Sequence, residues 1–131
     1  MKLISRDTDY AVRALSRIAR NGNKISSVSN LAKETAVPRP FLRKILQTLN
    51  KKGVVNSSKG RGGGFVLARG ADKIYLVELI NIFQGPIKLN QCLFKKKICH
   101  EVASCVLKSK MDALEKNMIS ELKSITIAVL I

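Results

Sequence analysis

Apolar residues recur every three or four positions through residues 8–21, TDYAVRALSRIARN. Tyr10, Ala11, Ala14, Leu15, Ile18 and Ala19 form one stripe, and Arg13, Arg17 and Arg20 form another, as in an amphipathic helix. Asn21-Gly22 stops that helix. Ser26-Ser27 offers an N-cap for a short second helix, VSNLAKETA, with Val28, Leu31 and Ala32 inward. Val37-Pro38 breaks it, and Pro40 suits the first turn of a third helix, FLRKILQTLNKKG. That spacing predicts Phe41, Leu42, Ile45, Leu46 and Leu49 facing in, with Arg39, Arg43, Lys44, Gln47 and Lys51 facing out. Gly53 closes the helix.

The period then changes from helical to alternating. Val54-Val55 and Phe65-Val66-Leu67 predict two short strands around NSSKGRGGG, a β-hairpin with a flexible, basic tip. Gly62, Gly63 and Gly64 permit close backbone approach and unusual φ there. A further helix is expected at about 75–84, ended by Gly85-Pro86. Residues 87–104 show no clear period. Met111, Leu114, Met118, Leu122, Ile125 and Val129 then predict one long amphipathic helix over 105–128.

Charge sharpens the picture. The 131 residues carry 24 Lys+Arg against 9 Asp+Glu, a net charge of +15. Residues 1–70 hold 15 basic and 3 acidic residues, and residues 71–131 hold 9 and 6. A basic half beside a nearly balanced one points to a polyanion-binding module joined to something else, with nucleic acid ahead of an anionic membrane surface or mere solubility. With 46% hydrophobic residues the chain is a globular protein, and with 5% aromatics and no Trp its core is aliphatic. No apolar run reaches the ~18 residues of a membrane span, and the N-terminus lacks the apolar stretch of a signal peptide. A cytoplasmic protein is expected.

Two short helices, the second opening after a Pro-bearing turn, followed by a basic hairpin, describe a winged helix-turn-helix. The fold class expected is mainly α with a small β-hairpin. The domain plan is a DNA-binding unit at 1–86, a cysteine-bearing segment at 87–104 and a dimerisation helix at 105–131. One α-helix fits the DNA major groove, where Arg pairs with guanine and Gln with adenine. Arg39, Arg43, Lys44 and Gln47 have that chemistry, and Ser57, Lys59 and Arg61 would reach phosphate or the minor groove from the wing. An enzyme is the weak rival: the chain has one His, no C-x-x-C, and a Gly-rich 60–64 without the Lys-Ser/Thr of a phosphate-binding loop. A DNA-coating protein acting through charge alone is a second alternative.

The three cysteines, Cys92, Cys99 and Cys105, fall inside fourteen residues as C-x6-C-x5-C. An odd count argues against a secreted disulfide framework. With His100 they make a Cys3His set that zinc could take, and metal-free thiols are a further option.

Taken together, these segments resemble the iron–sulfur-cluster-regulator family of bacterial winged-helix transcription factors. The resemblance rests on MKLISRDTDYAVRAL, on SVSNLAKETAVPRPFLRKILQTLNKKGVV, on SSKGRGGGFVLAR at the wing, on the cysteines and on SITIAVLI. It implies a homodimeric repressor on pseudo-palindromic promoter DNA, a regulator rather than an enzyme. It also implies a [2Fe–2S] or [4Fe–4S] cluster on Cys92, Cys99 and Cys105, soft thiolates suited to iron. Lys95, Lys96, Lys97 and His100 would favour the thiolate forms. IscR-like members place a His after the third cysteine, and none follows Cys105 here. NsrR-like members use an Asp from the partner subunit, and Thr8-Asp9-Tyr10-Ala11 resembles that site, making Asp9 the candidate fourth ligand. Other members bind no cluster and answer to a small molecule or a partner protein. Asp9 has a plainer reading as a helix N-terminal acid.

Overall fold

The computed structural model describes residues 3–87 and 106–131. Cys92, Cys99 and Cys105, the candidate cluster ligands, and His100 lie outside the described residues. Helix α1 spans Arg6–Arg20, α2 Val28–Thr35 and α3 Arg39–Lys51. Strands β1 (Val55–Ser58) and β2 (Gly64–Leu67) follow, then a 3₁₀ turn at Ala71–Lys73. Helix α4 spans Leu76–Gln84, α5 Val106–Lys123 and α6 Ile127–Leu130.

Local chemistry sets the helix ends. The Ser5 hydroxyl caps α1 by accepting from the Thr8 N–H at 3.2 Å. Asp7 and Asp9 sit in its first turn and Arg17 and Arg20 in its last, both favourable to the helix dipole. Of the two serines offered as caps for α2, Ser27 takes the role, accepting from the Asn30 N–H. Ala36 ends α2 with φ at +59°, a left-handed turn that seats the buried Val37 and leads through Pro38 into α3. Helix α3 opens two residues earlier than the sequence suggests, because Arg39 and Pro40 already fill its first turn.

The core lies where these helices meet. Ala11, Ala14, Leu15 and Ile18 of α1 pack with Leu31, with Leu42, Ile45, Leu46 and Leu49 of α3, and with Val54, Val55, Ile74 and Leu79. Phe41 departs from the expected inward stripe. It is 40% exposed, and its ring lies under the Arg6 guanidinium, 4.7 Å from ring centre to Cζ. It lies in the first turn of α3.

The hairpin is antiparallel, with Val55 opposite Leu67 and Ser58 opposite Gly64. The strands run further than the glycine content suggested, so the tip is only residues 59–63. The wing also gains a third partner. Ser26 and Phe65 exchange backbone hydrogen bonds at 2.9 and 2.8 Å, tying the α1–α2 connection to β2.

The largest correction concerns the C-terminus. In place of one helix over 105–128, α5 stops at Lys123. The Ser124 hydroxyl turns back to the Glu121 carbonyl, and Thr126 bridges to Tyr75 in extended conformation. Ile125-Thr126-Ile127 is β-branched throughout, which favours that conformation. The Ile127 N–H donates to the Ile74 carbonyl at 2.9 Å, and its side chain is fully buried in the core. Val129, expected on the apolar stripe, is 69% exposed. Helix α5 is held to α4 by a small cluster of Leu76, Ile80 and Leu122, while Val106, Leu107 and Leu114 are exposed.

Candidate nucleic-acid interface

Helices α2 and α3, joined through Ala36–Pro38, stand beside the hairpin and leave a groove of about 620 Å³ between them. Arg39, Arg43, Gln47 and Asn50 line it from one flank of α3, as their spacing of four, four and three requires. Ser57, Ser58 and Lys59 line it from the wing, with Val28 and Ser29 of α2 at its end. Among the described residues, no acidic side chain lines this groove.

Five of the seven residues expected to contact DNA meet here: Arg39, Arg43, Gln47, Ser57 and Lys59. Lys44 and Arg61 are exposed but do not line the groove. Lys44 lies on the outer face of α3, and Arg61 lies at the wing tip. Asn50 and Ser58 escaped the sequence reading. Asn50 is three residues beyond Gln47, so helical spacing could have found it; Ser58 was assigned to a loop and its place in β1 could not be read.

The cations divide into two groups. Arg13 pairs with Asp9 at 3.0 Å, and Arg17 reaches Glu34 of α2 at 3.4 Å. Arg69 pairs with Glu78 and also donates to the Lys73 carbonyl. Among the described residues, Arg39, Arg43, Lys44, Lys59 and Arg61 have no carboxylate partner. Arg20, Lys24, Lys33, Lys51 and Lys52 are likewise unpaired among the described residues, so what sets Arg39, Arg43 and Lys59 apart is that they line one groove, where they are available to polyanion phosphates.

The wing glycines have separate reasons to be glycine. Gly60 and Gly62 hold φ at +89° and +70°. Gly63 and Gly64 are needed for close approach instead. A Cβ on Gly64 would meet the Ser26 carbonyl group, 2.6 Å from its carbon and closer still to its oxygen. A Cβ on Gly63 would stand 2.8 Å from the Gly60 carbonyl oxygen and against that of Ser58.

This arrangement is a helix-turn-helix with an anchored wing, and the comparisons agree with it. The profile of the Rrf2 family, described as an iron-dependent transcriptional regulator, matches residues 4–131. The chain belongs to the Rrf2 family. A protein of Aquifex aeolicus (strain VF5), named as an HTH-type transcriptional regulator, is 38% identical over 124 residues, covering 93% of this chain and 86% of the relative. The solved structure of T. potens IscR is similar at 27% identity and TM-score 0.75, covering 98% of this chain and 84% of that one. CymR, the global cysteine regulator of B. subtilis, shares the fold at TM-score 0.77 and 24% identity, covering 99% and 96%.

This Rrf2 protein is a DNA-binding transcriptional regulator and not an enzyme. Among the described residues, no helix is long and apolar enough to cross a membrane. Asp9, the candidate fourth ligand, is half-exposed in the first turn of α1 and bound to Arg13. No group of three or more potential metal ligands occurs among the described residues.

Proposed function

We propose that this Rrf2 protein is a homodimeric repressor of the bacterial cytoplasm whose operator affinity is set by an iron–sulfur cluster. Each protomer places residues 38–50 in a major groove and residues 57–63 in the flanking minor groove. Two half-sites then lie about one helical turn apart. Arg39, Arg43 and Gln47 read base edges. Lys44, Ser57, Lys59 and Arg61 hold phosphate or the minor groove and set the register. The observation that carries this reading is the row of unpaired cations shared by α3 and the wing around a groove without acids.

The exposed Val106, Leu107 and Leu114 on α5 support pairing with a second copy. Under the domain plan of 1–86, 87–104 and 105–131, Ile127 anchors the dimerisation segment in the core of the DNA-binding unit. A change in how α5 helices cross would then move the reading heads directly.

The cluster reading rests on donor chemistry and on the family's iron-dependent description. Cys92, Cys99 and Cys105 are three soft thiolate donors, which fit an iron–sulfur centre. Asp9 of the partner subunit would complete the set by releasing Arg13. When bound, such a cluster supplies chemistry sensitive to iron supply, redox state and nitric oxide. The pairing of Asp9 with Arg13 favours a second reading, in which Asp9 is only a helix-end acid and a cluster-free or zinc-bound regulator responds through its thiols or to a small ligand.

Anaerobic purification, an absorbance spectrum and iron and sulfide assays separate the two. A brown protein with matching iron and sulfide is expected, and Cys92→Ala should then alter the footprint on DNA. A colourless, iron-free protein after reconstitution would overturn the cluster reading.

A further inference from the structure

An α-helix seated in the major groove has a phosphate backbone on each side of it, because the groove is about one helix wide. The wing stands beside the flank of α3 that carries Arg39, Arg43, Gln47 and Asn50, so it would cover the backbone on that side. The opposite flank of α3 carries Phe41, Lys44 and Thr48, three and four residues apart. On that side stands Arg6, the first residue of α1.

Arg6 is placed by ring contacts. Its guanidinium lies over Phe41, 4.7 Å from the ring centre, and 6.0 Å from the centre of Tyr10. Stacking of this kind uses the flat face of the guanidinium and leaves its N–H edge free to donate to a planar or tetrahedral oxyanion. Among the described residues its one ion pair is with the neighbouring Asp7, at 3.7 Å, and both side chains are more than half exposed. An exposed pair of that kind is weak and is exchanged readily for a phosphate. Phe41 also gains a reason to be exposed: it is a platform rather than a core residue.

We infer that Arg6, held on Phe41, grips the DNA phosphate backbone on the side of α3 opposite the wing, so that each reading helix is clamped from both flanks. This inference rests on the proposed placement of α3 in the major groove. A phosphate contact carries no sequence information, so Arg6 would add affinity and register without choosing bases.

The test is titration of the full-length protein with two labelled duplexes over a range of salt. One duplex is selected by the wild type from a random-sequence pool, and the other is its shuffled counterpart. Arg6→Ala should lower the slope of log K against log salt by about 0.9 per protomer on both duplexes, and weaken binding about fivefold per protomer near 0.15 M salt. Arg6→Lys, which keeps the charge, should retain most of the slope. Phe41→Leu should weaken binding in the wild-type background and have no further effect beside Arg6→Ala. An unchanged slope for Arg6→Ala, even with lowered melting stability, would leave Arg6 a purely structural side chain and overturn the inference. A loss confined to the selected duplex would overturn it too, since that marks base reading. In both of those cases the wild type still prefers its selected duplex and the proposed function stands. A wild type that shows no preference between duplexes would overturn the proposed placement of α3, and the Arg6 clamp with it.

Discussion

Replacing Gly64 with Ala should destabilise the protein, although general considerations predict the reverse. Gly64 is not in the left-handed region, so a Cβ that met nothing would stabilise by about 0.4–1 kcal/mol through the unfolded chain. Here that Cβ would stand 2.6 Å from the Ser26 carbonyl carbon and 2.9 Å from the Ser27 Cα. Both neighbours are backbone and cannot swing away. Either the overlap is absorbed as strain, of about 1–3 kcal/mol, or the Ser26 segment withdraws. Withdrawal breaks the two hydrogen bonds between Ser26 and Phe65, each contributing about 1 kcal/mol. It also disturbs Ser26 Oγ, which accepts from Asn21 at 2.7 Å. Set against the gain through the unfolded chain, both routes lead to a net loss of about 1–2 kcal/mol. Urea unfolding followed by circular dichroism, at one fixed protein concentration, measures it. Gly62→Asn is the control, because Asn tolerates positive φ and a Cβ there meets nothing within 4 Å. Its loss should stay below about 0.5 kcal/mol. A Gly64→Ala variant as stable as the wild type, or more so, would refute the claim that the wing is docked on Ser26.

Two further outcomes are expected. Ile127→Ala should cost about 2–5 kcal/mol, since a fully buried side chain leaves a cavity in the main core; a loss under about 1 kcal/mol in the same melts would show that the C-terminal residues do not pack there. Replacing Lys59 and Arg61 together by Ala should lower the salt slope of DNA binding by about 1.8 per protomer, and an unchanged slope would remove charge from the wing's role.

The helix-turn-helix was legible because its signals are local. Apolar spacing marked α1, α2 and α3, serine and proline marked the starts of α2 and α3, and Gly53 marked the change to strands; the Ser5 cap that starts α1 at Arg6 was not read. One wall of the groove was legible for a related reason. Arg39, Arg43 and Gln47 share a flank by helical arithmetic alone, and that flank forms one wall of the groove. The groove itself was not legible, because its other wall depends on how far β1 extends. Nor could charge counting tell paired arginines from unpaired cations, since Arg17 meets Glu34 only when α1 packs on α2.

Where periodicity misled, tertiary contacts overrode it. The spacing of Leu122, Ile125 and Val129 continues the pattern of α5, yet the chain leaves the helix at Ser124. A period reports which residues could share a face; it does not report whether a better burial site lies nearby. The space between Ile74 and α1 is such a site, and Ile127 fills it while Thr126 bridges to Tyr75. Phe41 shows the converse, an apolar residue at core spacing that the geometry of α1 leaves outside beneath a guanidinium. The order of elements from α1 to α4, the flank shared by Arg39, Arg43 and Gln47, and the family were legible in the sequence, because those depend on neighbours within a turn or two and on motif spacing. The anchoring of the wing at Ser26, the pairing of Arg17 with Glu34 and the folding back of the C-terminus came only with tertiary structure, because each depends on contacts between separate elements of the chain.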